Sequence, residues 1–239
     1  MAMHLAHTSR EFESELRELR AHCMSMGARC ERSLSLALDA FWATGTPEFA
    51  KDVEELDRLI DRDEMEIDAL VLRILALRQP VAYDLRVLAA ALRLDTDLER
   101  IGDEAVNIAQ RAQEDHGEEA KKLARACLRT MAERTQEMLR GALDAFVEGD
   151  VARAEQVLKD DDVVDEQYGK ALRDLTAFML EHHAGIPGAF CVMRVAKNIE
   201  RIADHATNIA EEVIFMVRGE DVRHGFAEGM RVRTGEPHA

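Results

Sequence analysis

Little in this chain breaks a helix. Its 239 residues include four prolines and two tyrosines, and proline is the residue that interrupts helical backbone most strongly. With Ala, Leu, Arg, Glu and Asp dominating, that scarcity predicts a mostly helical protein. Cysteine is also sparse. Cys23, Cys30, Cys127 and Cys191 form no CxxC pair and are scattered through helical sequence. This argues against a disulfide framework and predicts reduced, partly buried thiols in a cytoplasmic protein. No apolar run approaches the ~20 residues of a membrane span, and the N-terminus turns charged within ten residues, unlike a secretory signal. The chain is therefore expected to be soluble and intracellular. Positive charge is in deficit: Lys and Arg number 31 against 47 Asp and Glu, a net charge of −16. Such a surface repels nucleic acid and anionic lipid, and leaves metal cations or basic protein surfaces as natural partners. There is no Gly-rich phosphate loop, no GxSxG and no Cys–His arrangement of note.

What is present is helical periodicity almost throughout. Turn signals at 44–47 (TGTP), 78–80 (RQP), 114–119 (EDHGEE), 148–150 (EGD) and 182–188 (HHAGIPG) divide it. They leave six segments, about 10–43, 48–78, 82–113, 119–147, 151–181 and 188–218, each long enough for a helix of roughly 45 Å. Residues 220–239 have little apolar content and are expected to fray as a flexible C-terminal tail.

The six segments repeat. LERIGDEAVNIA at 98–109 returns as IERIADHATNIA at 199–210, ALDAF at 37–41 returns at 142–146, and DRLID at 57–61 corresponds to DDVVD at 161–165. All three helices of the first half have counterparts in the second, in the same order. The fold expected is all-α: two tandem, pseudo-symmetric three-helix bundles, over 8–115 and 118–219. In the third helix Val87, Ala91, Leu94, Leu98, Ile101, Ala105 and Ile108 form the core stripe. Leu85, Leu88 and Leu92 form a second stripe on roughly the opposite face, suited to dimerisation or to packing within the chain. Carried forward, that second face reaches Glu99, Asp103 and Asn107 instead of further leucines.

Glu99 and Asp103 are four residues apart, which stacks their carboxylates on one face. Glu200 and Asp204 repeat the spacing, and so do Asp57 with Asp61 and Asp161 with Asp165. Like charges at this spacing destabilise a bare helix by ~0.2–0.5 kcal/mol per pair. Four such pairs in repeat register argue for a cation between them. Carboxylates, with an amide from Asn107 or Asn208 one turn on, suit hard cations: Mg²⁺, Mn²⁺, Ca²⁺ or iron. Other groups have structural readings. His205 reads as a helix-surface residue. Arg100 and Arg201 read as partners of Glu104, Asp97 or other acidic neighbours. His182 and His183 suit the negative end of a helix, and the methionines, Met24 and Met26 among them, read as core filler.

The doubled ERIGD/ERIAD with its following Asn, the RQPVAYDLR at 78–86 and the VRGEDVRH at 217–224 together resemble the PhoU family, the phosphate-specific transport system accessory proteins, over residues 8 to 224. The resemblance implies two pseudo-symmetric three-helix bundles with surface metal sites built from E/DxxxD motifs. Here these are Asp57/Asp61 with Glu99/Asp103, and Asp161/Asp165 with Glu200/Asp204, holding Mn, Mg or Fe ions, or Zn or Ca in a crystal. It implies a non-enzymatic negative regulator of phosphate uptake and of the phosphate-starvation regulon. Such a regulator links the ATPase subunit of the phosphate transporter to a sensor histidine kinase. The expected molecule is a homodimer, cytoplasmic and peripherally associated with membrane complexes, with no nucleic acid partner and no membrane insertion. One departure stands out: Ala203–Asp204–His205 replaces Gly102–Asp103–Glu104, so the two sites are expected to differ in affinity or nuclearity. A carboxylate-bridged di-iron oxidase or ferroxidase is the competing enzymatic reading, with a metal-free helical scaffold as the third. Di-iron bundles use Glu-x-x-His pairs, and no histidine here has Glu three residues before it; only Asp221 precedes His224 at that distance.

Overall fold

The computed structural model describes residues 10–43, 47–114 and 118–223. Within them lie six long helices: α1 (Arg10–Trp42), α2 (Pro47–Arg78), α3 (Tyr83–Arg111), α4 (Glu118–Glu148), α5 (Val151–Glu181) and α6 (Ile186–Arg218). The periodic segments thus became helices with ends shifted by a residue or two. Helix α6 starts two residues early. It begins at Ile186, after a 3₁₀ turn at His183–Gly185, with Pro187 inside its first turn. Proline is tolerated there because the first backbone N–H groups of a helix have no intrahelical acceptor. The C-terminus of α6 closes on Gly219, whose φ of 73° supplies the left-handed cap, its N–H bonding the Phe215 carbonyl. The expected fraying tail lies outside the described residues from 224 onward, as do residues 8 and 9 at the head of the first expected domain. No described helix is long and apolar enough to cross a membrane.

Helices α1, α2 and α3 pack on one another, as do α4, α5 and α6, and the two sets meet through α3 on α6 and α1 on α4. The core stripe of α3 is buried along its whole length, as its periodicity predicts. The second stripe is not a free face: Leu88 is fully buried and Leu92 partly so, while Leu85 remains exposed. Helix α3 is covered by α1, α2 and α6 together, so its buried arc is wider than one apolar stripe.

The halves meet antiparallel. Arg93 bonds Glu212, Asp97 bonds His205 and Asn208, and Glu104 bonds Asn198 and Arg201. As residue number rises on α3 it falls on α6, and the two repeated motifs face each other about an approximate two-fold near Ile101 and Ile202. At the α1–α4 contact the buried Lys121 donates to the Phe41 carbonyl, with its ammonium 4.8 Å from the Phe41 ring centre.

Entry into α5 is fixed by Asp150, whose side chain accepts from Ala152 N at 3.0 Å and Arg153 N at 3.1 Å. Asp150→Ala removes the one oxygen, Oδ1, that accepts both bonds and should lower unfolding free energy by about 1 kcal/mol. Urea denaturation monitored by circular dichroism measures this; an unchanged midpoint would mean the cap contributes nothing.

Candidate metal centre

Each acidic pair is positioned by the apolar residues beside it. Burying Leu98 and Ile101 on α3 turns Glu99 toward α2, and burying Ile60 on α2 turns Asp57 toward α3. The structure brings the four carboxylates of each half into mutual electrostatic reach. Burial pushes the Asp57 carboxyl up to about 6, helped by the charges of Asp61 and Asp103. Burial likewise raises Glu99, with Asp103 adding to it, Arg100 opposing, and Glu64 and Asp61 adding further. In the second half burial pushes Asp161 up to about 7, reinforced by Asp165 and Asp204, then Asp162 and Glu200. Asp204 is raised by burial and by Glu200. The second groove is thus the counterpart of the first.

Positively charged side chains already lean over both. Arg100 sets Nε 3.3 Å from Glu99 and Nη1 3.5 Å from Asp103. Lys197 bonds Glu200 directly, and its ammonium lies 5.6 Å from the Tyr168 ring centre. Gly102 gives the first groove its close approach: a Cβ there would stand 3.2 Å from Asp57 Oδ1. Its repeat partner is Ala203, fully buried, so α5 and α6 are spaced differently around the second quartet. Among the described residues, no three His, Cys, Asp or Glu side chains converge closely enough to hold an ion as they stand. The donor set itself fits a hard cation. It is all carboxylate oxygen, and the half-buried members sit against like charges.

The remaining candidates divide clearly. Asn107 serves its own helix, accepting from Arg111 Nη1 through its backbone carbonyl at 2.8 Å and its side chain at 3.4 Å. Asn208 turns toward α3, donating to Asp97 at 3.0 Å. His205 is not a plain surface residue: its Nδ1 lies 2.8 Å from Asp97 Oδ1, partly buried between the halves. Arg201 reaches across to Glu104 at 3.0 Å, whereas Arg100 stays with Glu99 and Asp103 on its own helix. Glu104 and His205, matched positions at which the two motifs differ in charge type, therefore face the α3–α6 interface and not the acidic grooves. His182 sits at the end of α5, stacked on Phe178 with ring centres 4.7 Å apart. All four cysteines are buried free thiols, and burial pushes Cys23 up to about 12. Met26 is core, but Met24 is exposed, because it lies two residues away from Met26 and so on another face of α1.

Three carboxylates escaped the reading by repeats. Glu64 and Asp68 continue the acidic face of α2 beyond Asp61, and Asp95 precedes Glu99 by one turn on α3. Their spacing was legible, but their repeat partners are Tyr168, Leu172 and Ala196, so matching the halves passes over them.

Similarity to known proteins falls on two stretches of the chain. A family model described as the PhoU domain matches residues 23–112 and again residues 128–213. A Pseudomonas putida protein named phosphate-specific transport system accessory protein PhoU homolog is 40% identical over 232 residues, 96% of this chain and 88% of that protein. The Escherichia coli K12 protein named phosphate-specific transport system accessory protein PhoU is 35% identical over 218 residues, 91% of this chain and 90% of its own. The crystal structure of PhoU from Pseudomonas aeruginosa superposes with a TM-score of 0.83 at 38% identity, over 87% of this chain and 99% of that one. A Streptococcus pneumoniae structure described as the phosphate transport system regulatory protein PhoU gives 0.79 at 26% identity, over 88% and 99%.

Proposed function

This chain belongs to the PhoU family, and from that premise we propose that it is a regulatory accessory of phosphate-specific transport, with no catalytic step of its own. The names of its relatives, accessory and regulatory proteins of phosphate transport, support that reading. The observation that carries the metal-binding part is the pair of carboxylate quartets, in which burial and like charge raise Asp57 and Asp161 together at matched places. Asp57, Asp61, Glu99 and Asp103 would hold a cation in the first groove; Asp161, Asp165, Glu200 and Asp204 would hold one in the second. Mn²⁺, Mg²⁺ or iron suits oxygen-only donors. Rotation of partly exposed carboxylates is what would gather them. A bound metal supplies the counter-charge that lets each helix pair close on itself.

The adaptor role rests on surface and charge. Long helix faces bearing a net charge of −16 complement basic cytoplasmic surfaces of membrane partners. The partners proposed are the transporter's ATPase subunit and the sensor histidine kinase of the phosphate regulon. They would be engaged at the cytoplasmic face of the membrane, by a homodimer of this chain.

Deleting the gene should raise expression of phosphate-starvation genes and phosphate uptake in phosphate-rich medium; unaltered expression and uptake would sink the regulatory reading. Separately, Mn²⁺ should raise the melting temperature of the purified protein by a few degrees through binding to the folded state. Asp103→Asn combined with Asp204→Asn should remove that rise. A wild-type protein indifferent to Mn²⁺ would reject the metal reading, and a rise surviving both substitutions would reject these aspartates as ligands.

A further inference from the structure

The two grooves diverge at one end. Beyond the first quartet, carboxylates continue as Glu64 and Asp68 on α2 and Asp95 on α3. At the corresponding end of the second groove stand Tyr168, Leu172 and Ala196, with Lys197 beside them on α6. The Lys197 ammonium bonds Glu200 and lies over the Tyr168 ring. Its counterpart in the first half, Thr96, is uncharged; its hydroxyl bonds the Leu92 carbonyl of its own helix at 3.1 Å and lies 3.4 Å from Asp95 Oδ1. The second groove therefore ends on a tethered cation, and the first ends on three more carboxyl groups.

Asp95 gives that end of the first groove its chemistry. It is 1% exposed. Its Oδ1 accepts from the Thr96 backbone N–H at 2.7 Å, while Oδ2 is buried and has no hydrogen-bond partner. Asp68 and Glu64 of α2 are the charged groups acting on it from across the groove. Cys23 of α1 also lies within reach, but burial holds it as the protonated thiol. A buried carboxyl with an unused oxygen and two carboxylates facing it suits a hard cation, which competes there with a proton.

Resting on the metal reading above, we propose that the first groove takes one more divalent cation than the second, at an extension formed by Glu64, Asp68 and Asp95. In the second groove the Lys197 ammonium takes that ion's place. The donors are carboxylate oxygens, which select Mn²⁺, Mg²⁺ or Ca²⁺ over softer metals.

Mn²⁺ bound per chain, counted by equilibrium dialysis and by the electron paramagnetic resonance signal of free Mn²⁺, tests this on the full-length protein. Asp95→Asn keeps an oxygen for the Thr96 N–H, so its fold should survive. It should lose one equivalent of Mn²⁺, or weaken it tenfold or more, with the remaining equivalents unmoved. Glu64→Gln should do the same. Thr96→Lys, which gives the first groove the second groove's ammonium, should reproduce the loss. If Asp95→Asn and Glu64→Gln both bind Mn²⁺ as the wild type does, Asp95 is satisfied by a proton and the extension is not a site. In that case loss of Mn²⁺ in Glu99→Gln still leaves the quartet reading standing. A wild type that binds no Mn²⁺ at all overturns both.

Discussion

Shortening Leu98 to alanine is expected to cost about 3–4 kcal/mol, and to weaken both halves of the molecule at once. Leu98 opens the first copy of the repeated motif and is fully buried. The Cys30 thiol donates to its carbonyl at 3.2 Å, tying α1 to this turn of α3. Alanine there leaves a cavity walled by backbone on helices held from several sides, so little collapse can refill it. The loss should reach both halves because the buried apolar residues form one cluster running through all six helices. At about 2–4 °C per kcal/mol for a chain of this length, the melting temperature should fall by roughly 10 °C in a single transition. Amide hydrogen exchange would locate the effect. Protection in α4–α6 should drop with that in α1–α3. Two separate transitions, with α4–α6 unmoved, would mean that the bundles fold independently and that the α3–α6 contact is weak.

That contact is the part of the fold the sequence hides best. Periodicity tells which face of a helix is apolar, and it placed Val87 through Ile108 in the core correctly. It does not tell which neighbour covers the flanks. The stripe of Leu85, Leu88 and Leu92 suits a partner chain or a neighbouring helix equally, because α3 by itself gives no sign of a third contacting helix; Leu88 is buried within the chain. The repeat told more than periodicity did. It located both copies of each carboxylate pair, and in the structure the pairs of one half lie within electrostatic reach of each other without converging on a single point. Its limit is that it finds only what both halves share. Asp95, Glu64 and Asp68 have Ala196, Tyr168 and Leu172 for partners, and Glu104 has His205. The first three extend a groove in one half alone. The last two serve an interface that exists only when the halves meet, and no reading of one helix at a time can pair Glu104 with Asn198, ninety-four positions away.

The pairs at that interface obey the pseudo-symmetry while changing its chemistry. Glu104 with Asn198 is the repeat image of His205 with Asp97, with the carboxylate moved to the other helix. The difference decides where each arginine goes. Arg201 crosses to Glu104 at 3.0 Å. Arg100, whose equivalent target is His205, finds no carboxylate there and stays over Glu99 and Asp103. Glu104→Ala should consequently cost about 2–3 kcal/mol, mostly as the penalty of stranding buried polar groups. Asn198 is 5% exposed and its Oδ1 already lacks a partner, so losing Glu104 leaves its whole amide unbonded. Arg201 is half exposed and would turn to water, which keeps the cost below that of a fully buried ion pair. Glu104→Gln keeps an acceptor for Asn198 and should cost about half as much. Combining Glu104→Ala with Asn198→Ala removes the stranded amide, so the double variant should be more stable than the two single losses added together. Chemical denaturation of the four proteins measures the coupling. Strict additivity would show that Glu104 acts through Arg201 alone, and that the buried amide plays no part in holding the halves together.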